Sequence, residues 1–252
     1  MSLTFSRLTV VVTGASGGLG TFLVKHFCQT GARVIGVDRV MPEQTAVDAG
    51  SFDFILAHLG EQSGADEAAA NIQRLSGKVD ILVNAAGRFA LDPEPGATAN
   101  VLSQLWRDNL CPTVLLTLGL KELLLKGKSP LVVNIASVDA IVASGGQACE
   151  VGIKDGLLYA SCKGAVLSFG QALAMNWARE QIRVHTLCPT LFLSPMTQEL
   201  LKIPGKIAEL ESFIPLQRLC EPADIAVAIE CLYRLRHTTG HVLPIDGGYL
   251  CR

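Results

Sequence analysis

No apolar run in this 252-residue chain reaches the roughly 18 residues that a membrane-spanning helix needs. A hydrophobic content of 49% against 17% charged residues therefore points to a substantial buried core and not to a bilayer. There is no basic block and the net charge is −2, which argues against a nucleic-acid partner. The eight cysteines contain no C-x-x-C pair, and the five histidines show no ligand spacing. Neither a disulfide framework nor a metal site is expected, and scattered thiols in apolar runs fit a cytoplasmic protein. The short apolar run at 8–12 leads into glycines with no cleavage site, so a signal peptide is not expected. No repeat, linker or composition break divides the chain, and a single domain over 1–252 is the expectation.

What is present begins with a β-branched run, LTVVV at 8–12, followed at once by TGASGGLG at 13–20 and a helical pattern up to Gly31. Strand, glycine loop and helix make the first half of a βαβ unit. Gly14 permits the tight turn, Gly18 a close backbone approach to a pyrophosphate, and Gly20 tight helix–strand packing, with Ser16, Gly17 and Leu19 completing the loop. The helix N-terminus offers N–H donors to phosphate. A second strand, 33–37, ends at Asp38, 18 positions after Gly20, where a dinucleotide fold places the acid that binds the adenosine ribose. A carboxylate there accepts hydrogen bonds from ribose hydroxyls and repels a 2′-phosphate, which favours NAD over NADP. Arg39 is the counter-signal, because a neighbouring cation suits that phosphate. A third strand, 52–57, leads to His58 and Leu59. A helix is expected over 62–75, with Ser63 as N-cap. A fourth strand, 79–83, closes on the small residues Asn84, Ala85, Ala86 and Gly87, which let adenosine lie against the backbone.

After a proline-rich loop at 88–96, one long helix is expected over 98–125, carrying Asn109 and kinked at Pro112. A fifth strand at 130–136 ends at Ser137. The loop 138–156 follows, then a helix over 156–180 carrying Tyr159 and Lys163, four positions apart and so on one face. A phenol beside an ammonium is a proton-transfer device, and the cation is expected to lower the tyrosine pKa. A sixth strand at 182–188 meets Pro189, and the irregular stretch 190–215 reads as a substrate lid. A helix over 222–236 and a strand over 242–245 precede Asp246-Gly247-Gly248.

Together these pieces resemble the short-chain dehydrogenase/reductase family, in its single-domain branch of about 250 residues. The resemblance rests on TGASGGLG, NAAG at 84–87, Asn109, Ser137, Y-x-x-x-K at 159–163, PTLFLSPM at 189–196 and the terminal DGG. It implies a Rossmann-like α/β fold, with a doubly wound parallel sheet of seven strands in the order 3-2-1-4-5-6-7. It also implies a catalytic tetrad of Asn109, Ser137, Tyr159 and Lys163. Tyr159 exchanges a proton with the substrate oxygen, Ser137 hydrogen-bonds that oxygen, Lys163 lowers the tyrosine pKa and holds the nicotinamide ribose, and Asn109 holds a relay water. Pro189, Thr190, Phe192 and Ser194 fall where the family meets the nicotinamide.

Four departures stand out. His58 replaces a common aspartate at the adenine, Thr190 replaces the usual glycine, NAAG replaces NNAG, and 22 positions separate Ser137 from Tyr159, more than is usual. The expected function is an NAD-dependent oxidoreductase acting on a secondary alcohol or ketone. The alternatives are an NADPH-dependent carbonyl or 3-oxoacyl reductase and a non-catalytic NAD-binding regulator. The segments 138–156 and 190–215 are rich in aliphatic side chains, which points to an apolar or cyclic substrate. The family resemblance implies a homodimer or homotetramer.

Overall fold

The computed structural model describes residues 5–42, 52–90, 98–142, 156–194 and 202–251. Its centre is a run of β-branched residues. β1 (Thr9–Thr13) is buried throughout, and such residues favour extended backbone and fill the space between two helical layers. β2 (Arg33–Asp38), β3 (Phe52–Leu56), β4 (Ile81–Asn84), β5 (Leu131–Ile135), β6 (Arg183–Pro189) and β7 (Val242–Ile245) complete the sheet. All pairs are parallel, and the order is β3-β2-β1-β4-β5-β6-β7, as the resemblance implied.

α1 (Gly18–Gln29) and α8 (Pro222–Arg234) cover one face, where Leu23, Phe27, Ile225 and Ile229 pack on Val10, Val12 and Val133. α2 (Gln62–Leu75), α4 (Cys111–Gly119) and α6 (Leu157–Trp177) cover the other, where Ile72, Leu116 and Leu173 pack on Val11, Leu82 and Val132. Each such fully buried side chain contributes about 1.5–3 kcal/mol. Among the described residues no helix is long and apolar enough to cross a membrane.

Register positions the site. Thr13 pairs with Val37 on one side and with Asn84 on the other. Thus the C-terminal ends of β1, β2 and β4 bring the glycine loop, Asp38 and the NAAG segment to one edge.

Three expectations are corrected. The long helix at 98–125 is three helices, α3 (Thr98–Asn109), α4 and α5 (Lys121–Leu124). Pro112 lies in the first turn of α4, where its missing N–H costs nothing, so it starts a helix and does not kink one. Ser63 is not the N-cap of α2, because Glu61 holds that position and no side chain caps the helix. The final helix ends at Arg234. It starts with a capping box between Glu221 and Asp224. Of the loop 138–156, only a short 3-10 turn (Val138–Ala140) and its flanks are described. Of the stretch 190–215, residues 195–201 lie outside the described residues, and the remainder includes α7 (Lys206–Ser212).

Candidate active site

The cleft along the C-terminal edge of the sheet has two ends. At the first, glycine is required by geometry. Gly14 has φ +67°, and a Cβ there would lie 2.8 Å from the Ala85 carbonyl oxygen. A Cβ on Gly20 would lie 1.9 Å from the Gly14 carbonyl oxygen. Gly17 occupies the N-cap of α1 and no side chain caps that helix, so its N-terminal donors and dipole face the loop. Thr13 Oγ1 accepts from the backbone N–H groups of Ala85 and Ala86, both at 3.0 Å, and fastens the NAAG segment to the loop.

Asp38 ends β2 with its carboxylate held by backbone donors: Ser16 N at 3.0 Å, Arg39 N at 2.7 Å and Val40 N at 3.2 Å. Arg39 turns to α3, where its Nη1 donates to Asp108 Oδ1 at 2.8 Å. The Asp108 side chain is only 4% exposed and also pairs with Arg88 Nε at 2.6 Å. Leu59 is buried, whereas His58 is exposed and, with Arg39 and Glu67, lines a cavity of about 320 Å³. The Asn84 side chain is buried and turned within the protein, donating to Thr117 Oγ1 at 2.8 Å and to Asn134 Oδ1 at 2.9 Å.

At the second end, α6 presents Tyr159 and Lys163 towards β5 and α3. Lys163 Nζ is buried, donates to the Ile135 carbonyl at 3.0 Å, and stands 5.7 Å from the centroid of the Tyr159 ring. Asn109 is fully buried, not an exposed helix asparagine. Its Nδ2 donates to the carbonyls of Arg88 and Leu105, and its Oδ1 accepts from Arg88 N at 3.1 Å. A Cβ on Gly87 would lie 2.7 Å from Asn109 Oδ1 and 3.3 Å from Lys163 Nζ, so both groups converge on that glycine. Ser137 lies two residues beyond β5, exchanges hydrogen bonds with Asp139 and is near enough to the Tyr159 phenol to lower its proton affinity. Phe89 packs edge-on against the Tyr159 ring, with centroids 5.2 Å apart. The structure therefore brings the four tetrad positions of the sequence reading into one cluster.

Proton affinities at this end correct the sequence reading. Tyr159 is pushed above its ordinary value, mainly by burial and then by the Asp139 carboxylate, with only Ser137 opposing. The expected lowering by Lys163 is absent from the causes. Burial moves Lys163 itself, down to about 8. The same burial pushes the Cys162 and Cys188 thiols up to about 11.

Pro189 is the last residue of β6, and Thr190 donates its N–H to Ile245 O at 3.2 Å. Thr190 Oγ1 is buried without a hydrogen-bond partner among the described residues. Phe192 bridges to Cys220, and Ser194 is half-buried at the edge of the described segment. Thr13, Arg88, Phe89, Asp108 and Asp139 were not singled out in the sequence. Thr13 adjoins the glycine motif, and Asp139 lies two residues from Ser137. The pairing of Asp108 with two arginines from distant loops has no local signal.

The residues fit a dinucleotide. An uncapped helix N-terminus suits a pyrophosphate, a strand-end carboxylate suits a ribose diol, and an orphaned buried hydroxyl at Thr190 lacks a partner that an amide could supply.

Comparison with known proteins agrees. Residues 8–203 match the short chain dehydrogenase family. The chain is 28% identical over 255 residues to an L-xylulose reductase of Bos taurus, covering 99% of each chain. It is 28% identical to Pseudomonas aeruginosa RhlG in an active-site complex with NADP, with a TM-score of 0.83 and 98% of each chain covered. It is also 25% identical to a short chain dehydrogenase of Leptospira borgpetersenii with bound NAD+, with a TM-score of 0.85 and 98% of this chain and 94% of the other covered. Motif order, sheet order and whole-chain similarity coincide, and the chain belongs to the short-chain dehydrogenase/reductase family of oxidoreductases.

Proposed function

We propose that this protein interconverts a secondary alcohol and a ketone with NAD(H), using Tyr159 as general acid and base. The observation that carries the reading is the convergence of Tyr159, Ser137, Lys163 and Asn109 at the end of a cleft whose other end carries Asp38. Oxidation converts alcohol and NAD+ into ketone, NADH and a proton. The nicotinamide supplies the hydride acceptor or donor when bound. Tyr159 takes the alcohol proton in oxidation and returns it in reduction. Ser137 hydrogen-bonds the substrate oxygen. Lys163 holds the nicotinamide ribose. Asn109 orients a water beside Lys163.

The glycine loop from Gly14 to Gly20, with Ser16, Gly17, Gly18 and Leu19, holds the pyrophosphate. Asp38, His58, Leu59, Asn84, Ala85, Ala86 and Gly87 frame the adenosine half. Pro189, Thr190, Phe192 and Ser194 frame the nicotinamide.

The substrate is a small alcohol or ketone with an apolar or cyclic body. The protein works as one domain in a reducing, cytoplasmic setting, consistent with the free thiols among its described cysteines. Trp106, Leu118 and Met175, exposed on α3, α4 and α6, suit a dimer or tetramer interface.

The second reading is an NADPH-dependent carbonyl or 3-oxoacyl reductase. It draws on Arg39, whose side chain is 46% exposed beside the ribose acid, and on the relative solved with NADP. The hold of Asp108 on Arg39 favours NAD. Titration with NADH and NADPH, followed by nicotinamide fluorescence, tests this. Wild type binds NADH more tightly, and Asp38→Ala weakens NADH and moves the preference towards NADPH by about tenfold. Tighter NADPH binding by wild type would transfer the function to the reductase reading.

A further inference from the structure

Asp108 is a buried acid on α3, outside the turn that carries the ribose acid, yet it holds the cation of that turn. The backbone of the turn after β2 is pinned. The Asp38 carboxylate accepts from the N–H groups of Ser16, Arg39 and Val40, and Ser16 Oγ donates to the Val40 carbonyl at 2.6 Å. What remains free to move at Arg39 is its side chain. That side chain is about half exposed, and its Nη1 donates to Asp108 Oδ1 at 2.8 Å. The other Asp108 oxygen is covered separately, by Arg88 Nε at 2.6 Å and Gln104 Nε2 at 3.1 Å. Arg39 is therefore the outer, releasable partner of Asp108, and Oδ1 is the atom its departure would uncover.

A ribose 2′-phosphate beside Asp38 calls for a cation, and Arg39 follows Asp38 directly in the chain. While Asp108 holds it, that cation is occupied. The phosphate gains a compensating charge only if the Arg39–Asp108 bond opens, and opening it leaves a buried carboxylate oxygen without its partner. A 2′-hydroxyl needs no cation and leaves the bond closed. We infer that Asp108 is a specificity-determining residue for the dinucleotide: by withholding Arg39 it sets the ratio of NADH to NADPH affinity. The inference rests on the oxidoreductase reading and deepens it, from the acid at the end of β2 to a residue of α3 that disarms the neighbouring base. Two devices then act against the phosphate, Asp38 by repulsion and Asp108 by withholding its counter-charge, so discrimination comes from what the wrong ligand is denied.

The test measures NADH and NADPH affinities of the full-length protein by nicotinamide fluorescence, for wild type, Asp108→Asn and Asp108→Asn/Arg39→Ala. Binding is the readout because Asp108 also holds Arg88, whose backbone groups fasten the Asn109 side chain, so turnover would mix two effects. Asp108→Asn keeps the size of the side chain and removes its charge. The ratio of NADPH to NADH affinity is expected to rise by about tenfold in Asp108→Asn and to fall back in the double variant. Asp108→Ser, which also removes the charge, should behave as Asp108→Asn does. Taking a ratio cancels general damage to the cleft, which weakens both ligands alike. An unchanged ratio overturns the inference. So does a rise that survives Arg39→Ala, because it would come from a lost negative charge and not from a released guanidinium. Calorimetric titration with adenosine 2′,5′-bisphosphate and with 5′-AMP repeats the comparison at the 2′ position alone. A gain confined to the bisphosphate and dependent on Arg39 supports the inference even if the protein turns nothing over, and equal changes for both nucleotides overturn it. The dinucleotide that wild type prefers decides the NAD reading separately. A wild type that prefers NADPH leaves the role of Asp108 to be decided by the same change of ratio.

Discussion

The two ends of the cleft are built from different materials. The Asp38 end is backbone: three main-chain N–H groups hold one carboxylate, Thr13 gathers two more, and glycines stand where a single Cβ would strike a carbonyl. Its one buried acid, Asp108, is paired with two arginines. The Tyr159 end is side chain, and its groups are moved from their ordinary proton affinities by burial: Tyr159, Cys162 and Cys188 upward, Lys163 downward. The first end fixes shape, which survives without a ligand because backbone conformation enforces it. The second stores displaced proton affinities, whose values depend on what fills the cleft. A substrate or cofactor charge placed there alters them most.

If that division is right, damage at one end leaves the other intact. Tyr159→Phe is the largest expected effect. Turnover falls by about 10²–10⁴-fold, while NADH affinity, read by fluorescence, changes little. A comparable loss of NADH affinity would show that the phenol also serves the binding end. Gly20→Ala should do the reverse. Its Cβ would lie 1.9 Å from the Gly14 carbonyl oxygen, so the loop must move. Overpacking of this kind costs about 1–3 kcal/mol, and NADH binding should weaken by about tenfold or more. Unchanged NADH affinity in a folded Gly20→Ala protein would mean that the loop shape is not what binds.

The same division explains what was legible in the sequence. Shape is written locally. The β-branched run at 8–12 reads as a buried strand and TGASGGLG after it as a loop turning into a helix, so the shape of the first end was readable locally, whereas the sheet order followed from the family resemblance. Tyr159 and Lys163 were readable as a pair because their spacing in a helix puts them on one face. The direction of the tyrosine shift was not readable. It depends on the depth of burial and on Asp139, a carboxylate that sequence spacing does not aim at the phenol. The break of the 98–125 helix was misread because a proline inside a helical pattern resembles a kink until its turn position is known. The fastening of Arg39 and Arg88 on Asp108 joins three segments far apart in the chain, and nothing local announces it.

The smallest expected effect is the most direct test of the stored proton affinities. Lys163 has a folded pKa of about 8 against an ordinary 10.5. Between those values the unfolded chain keeps the proton and the folded protein has released it, so stability rises with pH. Below pH 8 the folded protein must carry a buried ammonium, and the full penalty applies. Above pH 9 the thiols of Cys162 and Cys188, raised to about 11 from 9.0, act in the opposite direction, because the unfolded state loses their protons first. A comparison with Lys163→Met removes that common background. Urea unfolding at pH 7, 8 and 9 should show wild type gaining about 1 kcal/mol on the variant across the window. Parallel stability curves for the two proteins would mean that Lys163 keeps its ordinary proton affinity. The Tyr159 end would then be, like the Asp38 end, a matter of shape alone.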